Sequence, residues 1–387
     1  MRILFVSDSY YPHINGVYYF VCRIGPMLQE RGHHVAVIAP SATRSASFSK
    51  IDGLDVYGIP SLSTIFYPSV RIPLPFLLKR RIKKIIQEFK PDIIHLQDHF
   101  PISKAVAKVN RQQKIPIIGT NHFMPENITI FLQRQFWKKR LENYLWRGFS
   151  KVYNQLALVT TPTETGVSII RPKLKVKTIA ISSGIDLSVF NPAGGTKDIR
   201  LKYGIPDKPV LLYVGRLDPE KHIDEILEAV AIALQTIEFC LVIVGKGTSR
   251  NGLEQQAQKL GIRASVIFTG FVPDEDLPFI YKLSRCFIIA SIAELLSLTT
   301  LQAMASALPV IAVNAGALGE LVKDQVNGYL YNEKDMNTLV QGIINILTQD
   351  DLQNAMSRKS LEFVQRHDIN KTLIAFEILY KDNIFQR

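Results

Sequence analysis

Two positively charged side chains, Arg216 and Lys221, lie in the short sequence GRLDPEK, residues 215–221. The apolar run VLLYV precedes this sequence and a helical pattern begins near Ile223, so the stretch is predicted to be a loop from a strand to a helix. Gly215 lets the backbone approach a ligand, and cations beside a helix N-terminus suit a diphosphate. Arg216 and Lys221 are therefore predicted to bind a diphosphate. The alternative is that both are solvated loop cations.

Other loops carry residue types that bind ligands. Glu294 lies in IAELLSLTT, Gly16 in YPHING, and His122 at a strand end in GTNHF. Gly245-Lys246-Gly247 follows the apolar run LVIV, but the full dinucleotide pattern G-x-G-x-x-G is absent. Taken alone, Gly16 could be a turn glycine and His122 a core residue. The acidic run from Asp274 to Asp276 could suggest a metal pair. We instead expect Asp274 to cap the following helix, and we predict no metal.

Alternating strand and helix patterns surround these loops. Apolar runs such as ILFVSD, HVAVIAP, PDIIHLQ and IPIIGTNH alternate with helical patterns in the first half, and a second series begins after residue 196. Residues 182–196, rich in Gly, Ser, Pro and Asp, separate the two series. The pattern predicts an α/β protein with two doubly wound domains, whose ligands lie at the carboxyl ends of the strands.

The sequence resembles the family 4 retaining glycosyltransferases. The resemblance depends on Gly-Arg-Leu-x-x-Glu-Lys followed about 75 residues later by Glu294 in AELLSLTTLQAMASALPVIA, and it extends to GIDLSVFNP and GYLYNEKD. Within that family, it resembles diacylglycerol glucosyltransferase-like and phosphatidylinositol mannosyltransferase-like members. The resemblance implies the GT-B fold, two Rossmann-like domains facing across a cleft. We predict an acceptor-binding domain at 1–181, a linker at 182–196, a nucleotide-sugar domain at 197–365, and a C-terminal helix within 366–387 that crosses back to the first domain.

The resemblance also implies roles for the Glu294 region. Glu294 matches the first carboxylate of the family motif and would accept hydrogen bonds from donor-sugar hydroxyls. Three following residues match the turn whose helix N-terminus faces the diphosphate: Ser297, Leu298 and Thr299. Gln302 stands where the family commonly has a second Glu that binds the ribose hydroxyls. This departure removes a charge, and a binding protein without catalytic activity is therefore an alternative.

Further binding residues follow from the same resemblance. Gly16 would let its loop approach the donor phosphates, and His122 matches a histidine that reaches the donor sugar. Four residues match loops that border the nucleotide base: Gly245, Gly247, Phe271 and Val272. The family implies a nucleotide-diphosphate sugar as donor substrate, with no bound cofactor.

Composition is consistent with an intracellular enzyme. The 387 residues are 47% hydrophobic and 21% charged, and they exceed what one core usually organises. No apolar run of about 18 residues and no signal peptide is evident. The three dispersed cysteines fit reduced thiols. We therefore expect a cytoplasmic protein, peripheral on the inner face of the cell membrane.

The membrane expectation depends on charge. Residues 1–190 contain 26 Lys and Arg against 11 Asp and Glu, whereas the remainder contains 20 against 23. Residues 76–90 combine Lys79, Arg80, Lys83 and Lys84 with an apolar stripe formed by Leu78, Ile82, Ile85 and Phe89, and residues 131–149 mix aromatic and basic side chains. An ordinary amphipathic helix packed on its own sheet is the alternative for residues 76–90. We predict that both segments contact an anionic membrane surface.

A lipid acceptor such as diacylglycerol is the leading hypothesis, with UDP-glucose as the expected donor. Because no carboxylate nucleophile is evident, we favour front-face substitution with retained configuration, in which the leaving phosphate takes the acceptor proton. A soluble sugar or sugar-phosphate acceptor stays open. Nucleic acid is not expected because no recognition motif is present. An epimerase would not be expected to carry GRLDPEK together with Glu294.

Overall fold

The computed structural model describes residues 1–64, 70–125, 135–194 and 198–385, without the side chains of Leu77 and Gln135. The chain forms two compact units. The first contains Met1–Ser183 together with Thr372–Arg387, and the second contains Gly184–Lys371.

The first unit is built on an eight-stranded sheet. Its strands and those of a small hairpin are β1 (Arg2–Val6), β2 (His34–Pro40), β3 (Ser47–Ile51), β4 (Leu54–Ile59), the hairpin strands β5 (Ser61–Ser63) and β6 (Arg71–Pro73), then β7 (Ile93–Leu96), β8 (Ile117–Thr120), β9 (Leu158–Thr161) and β10 (Lys177–Ala180). The spatial order of the large sheet is β10-β9-β8-β7-β1-β2-β4-β3, parallel except for β3. Ile3 pairs with Val35 on one side and with Ile93 on the other, which fixes the register at the centre.

Helices connect these strands, as the helical patterns predicted. They are α1 (Gly16–Glu30), α2 (Pro75–Phe89), α3 (Pro101–Gln113), α4 (Gln135–Tyr153) and α5 (Glu164–Ile170), followed by a 3₁₀ turn at Arg171–Lys173. The Asn15 side chain accepts hydrogen bonds from the first N–H groups of α1. Helix α1 ends at Glu30, and Gly32 takes the positive φ of 83° that lets the chain turn into β2.

The apolar stripe of α2 lies inside the first unit. Leu78, Ile82, Ile85 and Phe89 are buried in its hydrophobic core. The prediction that this stripe faces a membrane is wrong, because the stripe covers the sheet of its own unit. Burial of each of the four side chains stabilises the unit by about 1.5–3 kcal/mol. The cationic side of α2 is exposed.

The second unit contains a six-stranded, entirely parallel sheet. Its strands are β11 (Val210–Val214), β12 (Cys240–Val244), β13 (Val266–Gly270), β14 (Cys286–Ile289), β15 (Val310–Val313) and β16 (Gly328–Tyr331), in the order β13-β12-β11-β14-β15-β16. Buried β-branched runs such as CLVIV explain the strands, since a parallel sheet is covered on both faces. This is the doubly wound dinucleotide-binding topology.

The helices that follow are α6 (Ile199–Tyr203), α7 (Ile223–Ala233), α8 (Arg250–Lys259), α9 (Leu277–Leu283), α10 (Leu298–Ala305), α11 (Leu318–Leu321), α12 (Met336–Thr348), α13 (Asp350–Val364) and α14 (Ile369–Phe385), with 3₁₀ turns at Pro219–Lys221, Arg263–Ser265 and Gln365–His367. Asp276, not Asp274, occupies the N-cap position of α9, so the cap prediction is wrong. Its carboxylate accepts hydrogen bonds from Lys202 and Tyr203 instead of from the helix backbone.

Helix α14 packs on the first unit. The Tyr380 hydroxyl lies 2.8 Å from Nδ1 of His95, and the Phe376 ring packs against both His95 and Phe20. The Glu377 carboxylate lies 2.8 Å from Nε2 of His33 and 3.1 Å from a guanidinium nitrogen of Arg31. In the part of the chain that the structure describes, no helix is long and apolar enough to cross a membrane.

Candidate functional site

The strand order of the second unit reverses between β11 and β14. In open α/β sheets, ligands bind outside the carboxyl ends of the strands at such a point. The loop that follows β11 carries Arg216 and Lys221, and the loop that follows β14 carries Glu294. The topology therefore brings together residues that are separated by more than 70 positions in the sequence.

Lys221 and Glu294 form the centre of this arrangement. The Lys221 Nζ atom lies 2.7 Å from Oε1 of Glu294 and 3.3 Å from the hydroxyl of Ser291. Both charged side chains are only 16% exposed. An ion pair that is largely removed from water is much stronger than an exposed pair and holds both groups in place. Among the described residues, a side chain donates a hydrogen bond to Oε1 of Glu294 but none donates to Oε2. The Oε2 atom can therefore accept a hydrogen bond from a ligand.

Arg216 is bound by two carboxylates of its own loop. It donates to Asp218 and, at 2.6 Å, to Oε1 of Glu220. The Glu220 side chain is 8% exposed, whereas that of Arg216 is 65% exposed. The guanidinium is thus anchored from the protein side and accessible to an anion from the solvent side.

The loops that follow β11 and β12 pack backbone against backbone. Leu217 N–H donates to the Lys246 carbonyl at 2.9 Å, and Ser249 N–H donates to the Leu217 carbonyl at 2.8 Å. A Cβ at Gly245 would lie 1.8 Å from the Gly215 oxygen, and one at Gly247 would lie 2.3 Å from the Leu217 oxygen. Close packing of the loops therefore explains both glycines.

Asp218 also ties these two loops together. Its Oδ1 accepts from the Thr248 N–H at 3.1 Å and from the Thr248 hydroxyl at 3.0 Å. Sequence reasoning did not identify Asp218 or Thr248 as site residues. The signal available was Asp218 immediately before Pro219 in GRLDPEK, at the start of a turn, where a short carboxylate commonly accepts hydrogen bonds from backbone N–H groups.

The N-terminus of α10 begins next to Glu294 in the chain. Ser297 caps the helix by accepting from Thr300 N–H at 3.2 Å, and Leu298 and Thr299 form its first turn. Ala317 N–H donates to the Glu294 carbonyl at 2.9 Å. The Glu294 backbone is thereby held by the loop that follows β15.

Gln302 lies in α10 with its side chain engaged by a buried tyrosine. The amide Oε1 lies 2.9 Å from the Tyr281 hydroxyl, which also lies 3.2 Å from the Thr299 carbonyl. Tyr281 is completely buried. The amide is thus oriented by α9, and Tyr281 is a third residue that the sequence did not reveal.

Phe271 and Val272, both predicted to border the nucleotide base, differ in how exposed their side chains are. Phe271 is 59% exposed, and Lys246 Nζ lies 5.7 Å from its ring centre. Val272 is 4% exposed and packs in the core, so its side chain is not available to a ligand.

Gly16 and His122 belong to the first unit. Gly16 is the first residue of α1, and a Cβ there would meet no atom within 4 Å. His122 follows β8, where its Nε2 lies 3.0 Å from Oε1 of Gln97 and its ring packs on Phe20. Burial lowers the pKa of His122 to about 4, so the imidazole is neutral at pH 7. The ligand roles of Gly16 and His122 stay predictions.

The described ranges contain no group of three or more His, Cys, Asp or Glu side chains that could hold a metal ion. What the arrangement in the second unit can do is bind an anion with Arg216 and Lys221. Glu294 can at the same time accept hydrogen bonds from hydroxyl groups.

Comparisons with known proteins agree with this reading. A family model described as Glycosyltransferase Family 4 matches residues 14–189, and one described as Glycosyl transferases group 1 matches residues 196–363. An alpha-monoglucosyldiacylglycerol synthase of Streptococcus pneumoniae is 30% identical over 371 residues, which cover 94% of this chain and 82% of the relative. The chain belongs to glycosyltransferase family 4.

One further relative and one solved structure are also similar to this family 4 glycosyltransferase. A GDP-mannose-dependent alpha-mannosyltransferase of Corynebacterium glutamicum is 26% identical, with 94% of this chain and 85% of the relative covered. A solved structure of Anabaena HepE in complex with UDP and glucose has a TM-score of 0.78 at 19% identity, and the match covers 99% of this chain and 100% of HepE. The family 4 glycosyltransferase has the GT-B fold, as predicted.

Proposed function

We propose that this glycosyltransferase moves a hexose from UDP-glucose to a membrane lipid acceptor such as diacylglycerol, with retention of anomeric configuration. The observation that carries the proposal is the Lys221–Glu294 pair at the reversal of strand order, with Arg216 on the neighbouring loop. HepE, which shares the fold, is described in complex with UDP and glucose, and the Streptococcus relative is named for a glucosyldiacylglycerol.

The cations of the second unit suit the donor diphosphate. Arg216 can bind phosphate oxygens in a bidentate manner, and Lys221 supplies a second positive charge. The first turn of α10, with Ser297 as its cap, adds the positive end of a helix dipole. Together they would stabilise the charge that develops on a departing diphosphate.

Glu294 has a different task in the proposal. Its Oε1 bonds Lys221, and Oε2 would accept from a hydroxyl of the donor sugar. In the transfer step, the acceptor oxygen forms a bond to the anomeric carbon on the face from which the bond to the diphosphate oxygen breaks. The acceptor proton passes to the departing phosphate. The products are the glycosylated acceptor and an anionic nucleoside diphosphate, and the exchange needs no covalent enzyme intermediate.

The acceptor side of the proposal depends on the surface of the first unit. Lys79, Arg80, Lys83 and Lys84 are exposed on α2, and Phe136, Trp137 and Tyr144 are exposed on α4. Cations beside exposed aromatic rings suit an anionic membrane interface. We propose peripheral association on the inner face of the cell membrane through residues 76–90 and 131–149, of which residues 131–134 lie outside the described part of the chain.

The test measures nucleoside diphosphate release from UDP-glucose and from GDP-mannose, with and without anionic vesicles that contain diacylglycerol. The Corynebacterium relative motivates the second donor. We expect release from UDP-glucose that requires diacylglycerol and falls at least about a hundredfold in Arg216→Ala. The matched control is Arg358→Ala, an exposed arginine on α13.

Three outcomes would contradict parts of the proposal. A preference for GDP-mannose would show that the donor is not UDP-glucose. Equal release of nucleoside diphosphate with a soluble sugar phosphate would show that a lipid acceptor is not required. Donor binding without turnover would identify a binding protein. The anomeric configuration of the glycolipid, read by proton NMR, tests retention, and a trapped glycosyl-enzyme would exclude front-face substitution.

A further inference from the structure

A basic depression lies on the first unit, apart from every residue assigned above to donor binding. It has a volume of about 640 Å³ and is formed by α4, the residue that follows α4, and the turn Arg171–Lys173. Its lining consists of Asn143, Trp146, Arg147, Ser150, Lys151, Asn154 and Lys173. The lining contains three cations, hydrogen-bonding amide and hydroxyl groups, and no acidic side chain.

The three cations of the depression are not neutralised by the protein. Arg147, Lys151 and Lys173 are exposed, and no ion pair of theirs occurs among the residues that the structure describes. The Lys173 Nζ atom lies 5.8 Å from the centre of the Trp146 ring, which brings a cation over an indole face. The carbonyl oxygen of the Asn154 side chain accepts from Lys175 N–H at 2.6 Å, so the amide NH₂ is the group left to donate.

Further cations crowd together next to this depression. A side-chain hydrogen bond with Lys79, together with the charge of that lysine, lowers the pKa of Lys108, and the charges of Arg111 and Lys151 add to the effect. Lys79 belongs to α2, Lys108 and Arg111 to α3, and Lys151 to α4. Cations of α2 and α3 therefore interact with each other and with Lys151, which lines the depression. Repulsion among these cations favours an anionic partner, because a bound anion relieves it.

The depression suits a phosphodiester better than a flat array of lysines would. An arginine can bind two phosphate oxygens at once, two lysines add charge, and asparagine amides can donate to the glycerol and phosphate oxygens. Tryptophan is the side chain most typical of the membrane interface, since its ring is apolar and its N–H is polar. The volume admits one headgroup and its phosphate.

We propose that this depression binds the headgroup of an anionic phospholipid and so docks the first unit on the membrane surface. The inference adds Lys151, Asn154 and Lys173, which lie outside both segments proposed above. It depends on the proposed membrane association. The headgroup bound here serves for attachment and is distinct from the lipid acceptor of the transfer reaction.

The test compares two variants of the full chain with equal loss of charge. The first variant removes the three cations of the depression by Arg147→Gln, Lys151→Gln and Lys173→Gln. The second variant removes three exposed cations of the second unit by Lys259→Gln, Lys323→Gln and Arg358→Gln. Each is sedimented with vesicles of phosphatidylglycerol and phosphatidylcholine, or of phosphatidylcholine alone. We expect at least about tenfold weaker binding to anionic vesicles for the first variant, and less than threefold for the second.

A second readout uses the two tryptophans of the chain. In Trp137→Phe, Trp146 is the sole tryptophan, and its emission should change with anionic vesicles but not with phosphatidylcholine vesicles or with inorganic phosphate at equal phosphate concentration. An equal change with inorganic phosphate would overturn the lipid assignment in favour of a general phosphate site.

The outcomes separate this inference from the proposed function. If the unaltered protein binds anionic vesicles and both variants bind equally well, the headgroup site is overturned while membrane association stands. If the unaltered protein does not bind anionic vesicles, both proposals fail together. Equal weakening in the two variants would show that overall charge, not this depression, controls binding, and would also overturn the site.

Discussion

The amide oxygen of Gln302 lies 2.9 Å from the hydroxyl oxygen of the buried Tyr281. This contact joins α9 to α10 at the position where family 4 enzymes commonly carry a second carboxylate. The side chain that replaces that carboxylate is therefore held in one orientation by the protein.

The first prediction concerns this pair. Gln302→Glu should tighten binding of UDP-glucose by about threefold to tenfold, because a carboxylate accepts hydrogen bonds from ribose hydroxyls more strongly than an amide does. Tyr281→Phe should weaken binding by a similar factor, since it frees the amide. Calorimetric titration of both variants with the donor measures the change. Weaker binding in Gln302→Glu would show that the amide is the better partner here.

A pair of glycines supplies the second prediction. Gly247→Ala should lower the free energy of unfolding by about 2 kcal/mol or more, and should weaken donor binding, because its Cβ would lie 2.3 Å from the Leu217 oxygen. Gly252→Ala, inside α8 with no atom within 4 Å of the new Cβ, should instead stabilise by about 1 kcal/mol. Urea denaturation of both variants provides the comparison. Equal effects would mean that loop packing does not require Gly247.

Histidine burial leads to a third prediction. Burial lowers the pKa of His99 to about 4, below its ordinary value of 6.5. The unfolded chain therefore binds the proton first, and stability that is complete above pH 6.5 is lost as the pH falls toward 4. His99 accounts for about 2 kcal/mol of this loss at pH 5. In His99→Phe, the difference in unfolding free energy between pH 7 and pH 5 should shrink by that amount. An unchanged difference would exclude His99 as a source.

The fourth prediction concerns Asp8, whose contribution to stability falls as the pH rises, opposite to that of His99. Burial, together with the nearby Asp98, raises the pKa of Asp8 well above 3.8. The stabilising protonated form is complete below pH 3.8 and is lost as the pH rises through the higher folded-state pKa. Asp8→Asn should therefore raise Tm at pH 8 and lose this advantage below pH 4, because the amide oxygen can still accept from the Ile102 N–H.

Asp335 is the matched control for that measurement. Hydrogen bonds from Thr338 lower the pKa of the Asp335 carboxyl, which caps α12. Its stabilising ionised form is present above pH 3.8 and is lost as the pH falls, so Asp335→Asn should lower Tm at pH 8. A fall in Tm at pH 8 for both variants would contradict the account given for Asp8.

The sequence predicted the central strands because each is an uninterrupted apolar run. It did not predict β3, whose central residues Phe48, Ser49 and Lys50 are exposed, or the short strands β5 and β6. These strands lie at a sheet edge or in a small two-stranded sheet, where few side chains are buried and the sequence therefore shows no apolar run. Strand-end positions predicted that the loops carrying Lys221 and Glu294 lie at one edge of the sheet, since parallel strands bring their carboxyl ends together, but they did not predict the ion pair between the two side chains.

Other parts of the site were beyond the sequence. The apolar stripe of α2 has the same spacing whether the helix covers a sheet or a membrane, so periodicity could not decide between them. The contact of Gln302 with Tyr281 depends on how α9 packs on α10, and no local pattern encodes that packing. Asp276 occupies the N-cap position of α9 in place of Asp274 because the helix begins only after a preceding turn.

Helix α14 has a consequence for how the chain is made. The first unit buries Phe20 and His95 against Phe376 and Tyr380, which are synthesised after the whole of the second unit. During translation, those parts of the first unit must wait with an uncovered apolar surface while some 190 intervening residues emerge and fold. Order of synthesis and order of completion are thus reversed in this protein: the unit that starts first is finished last.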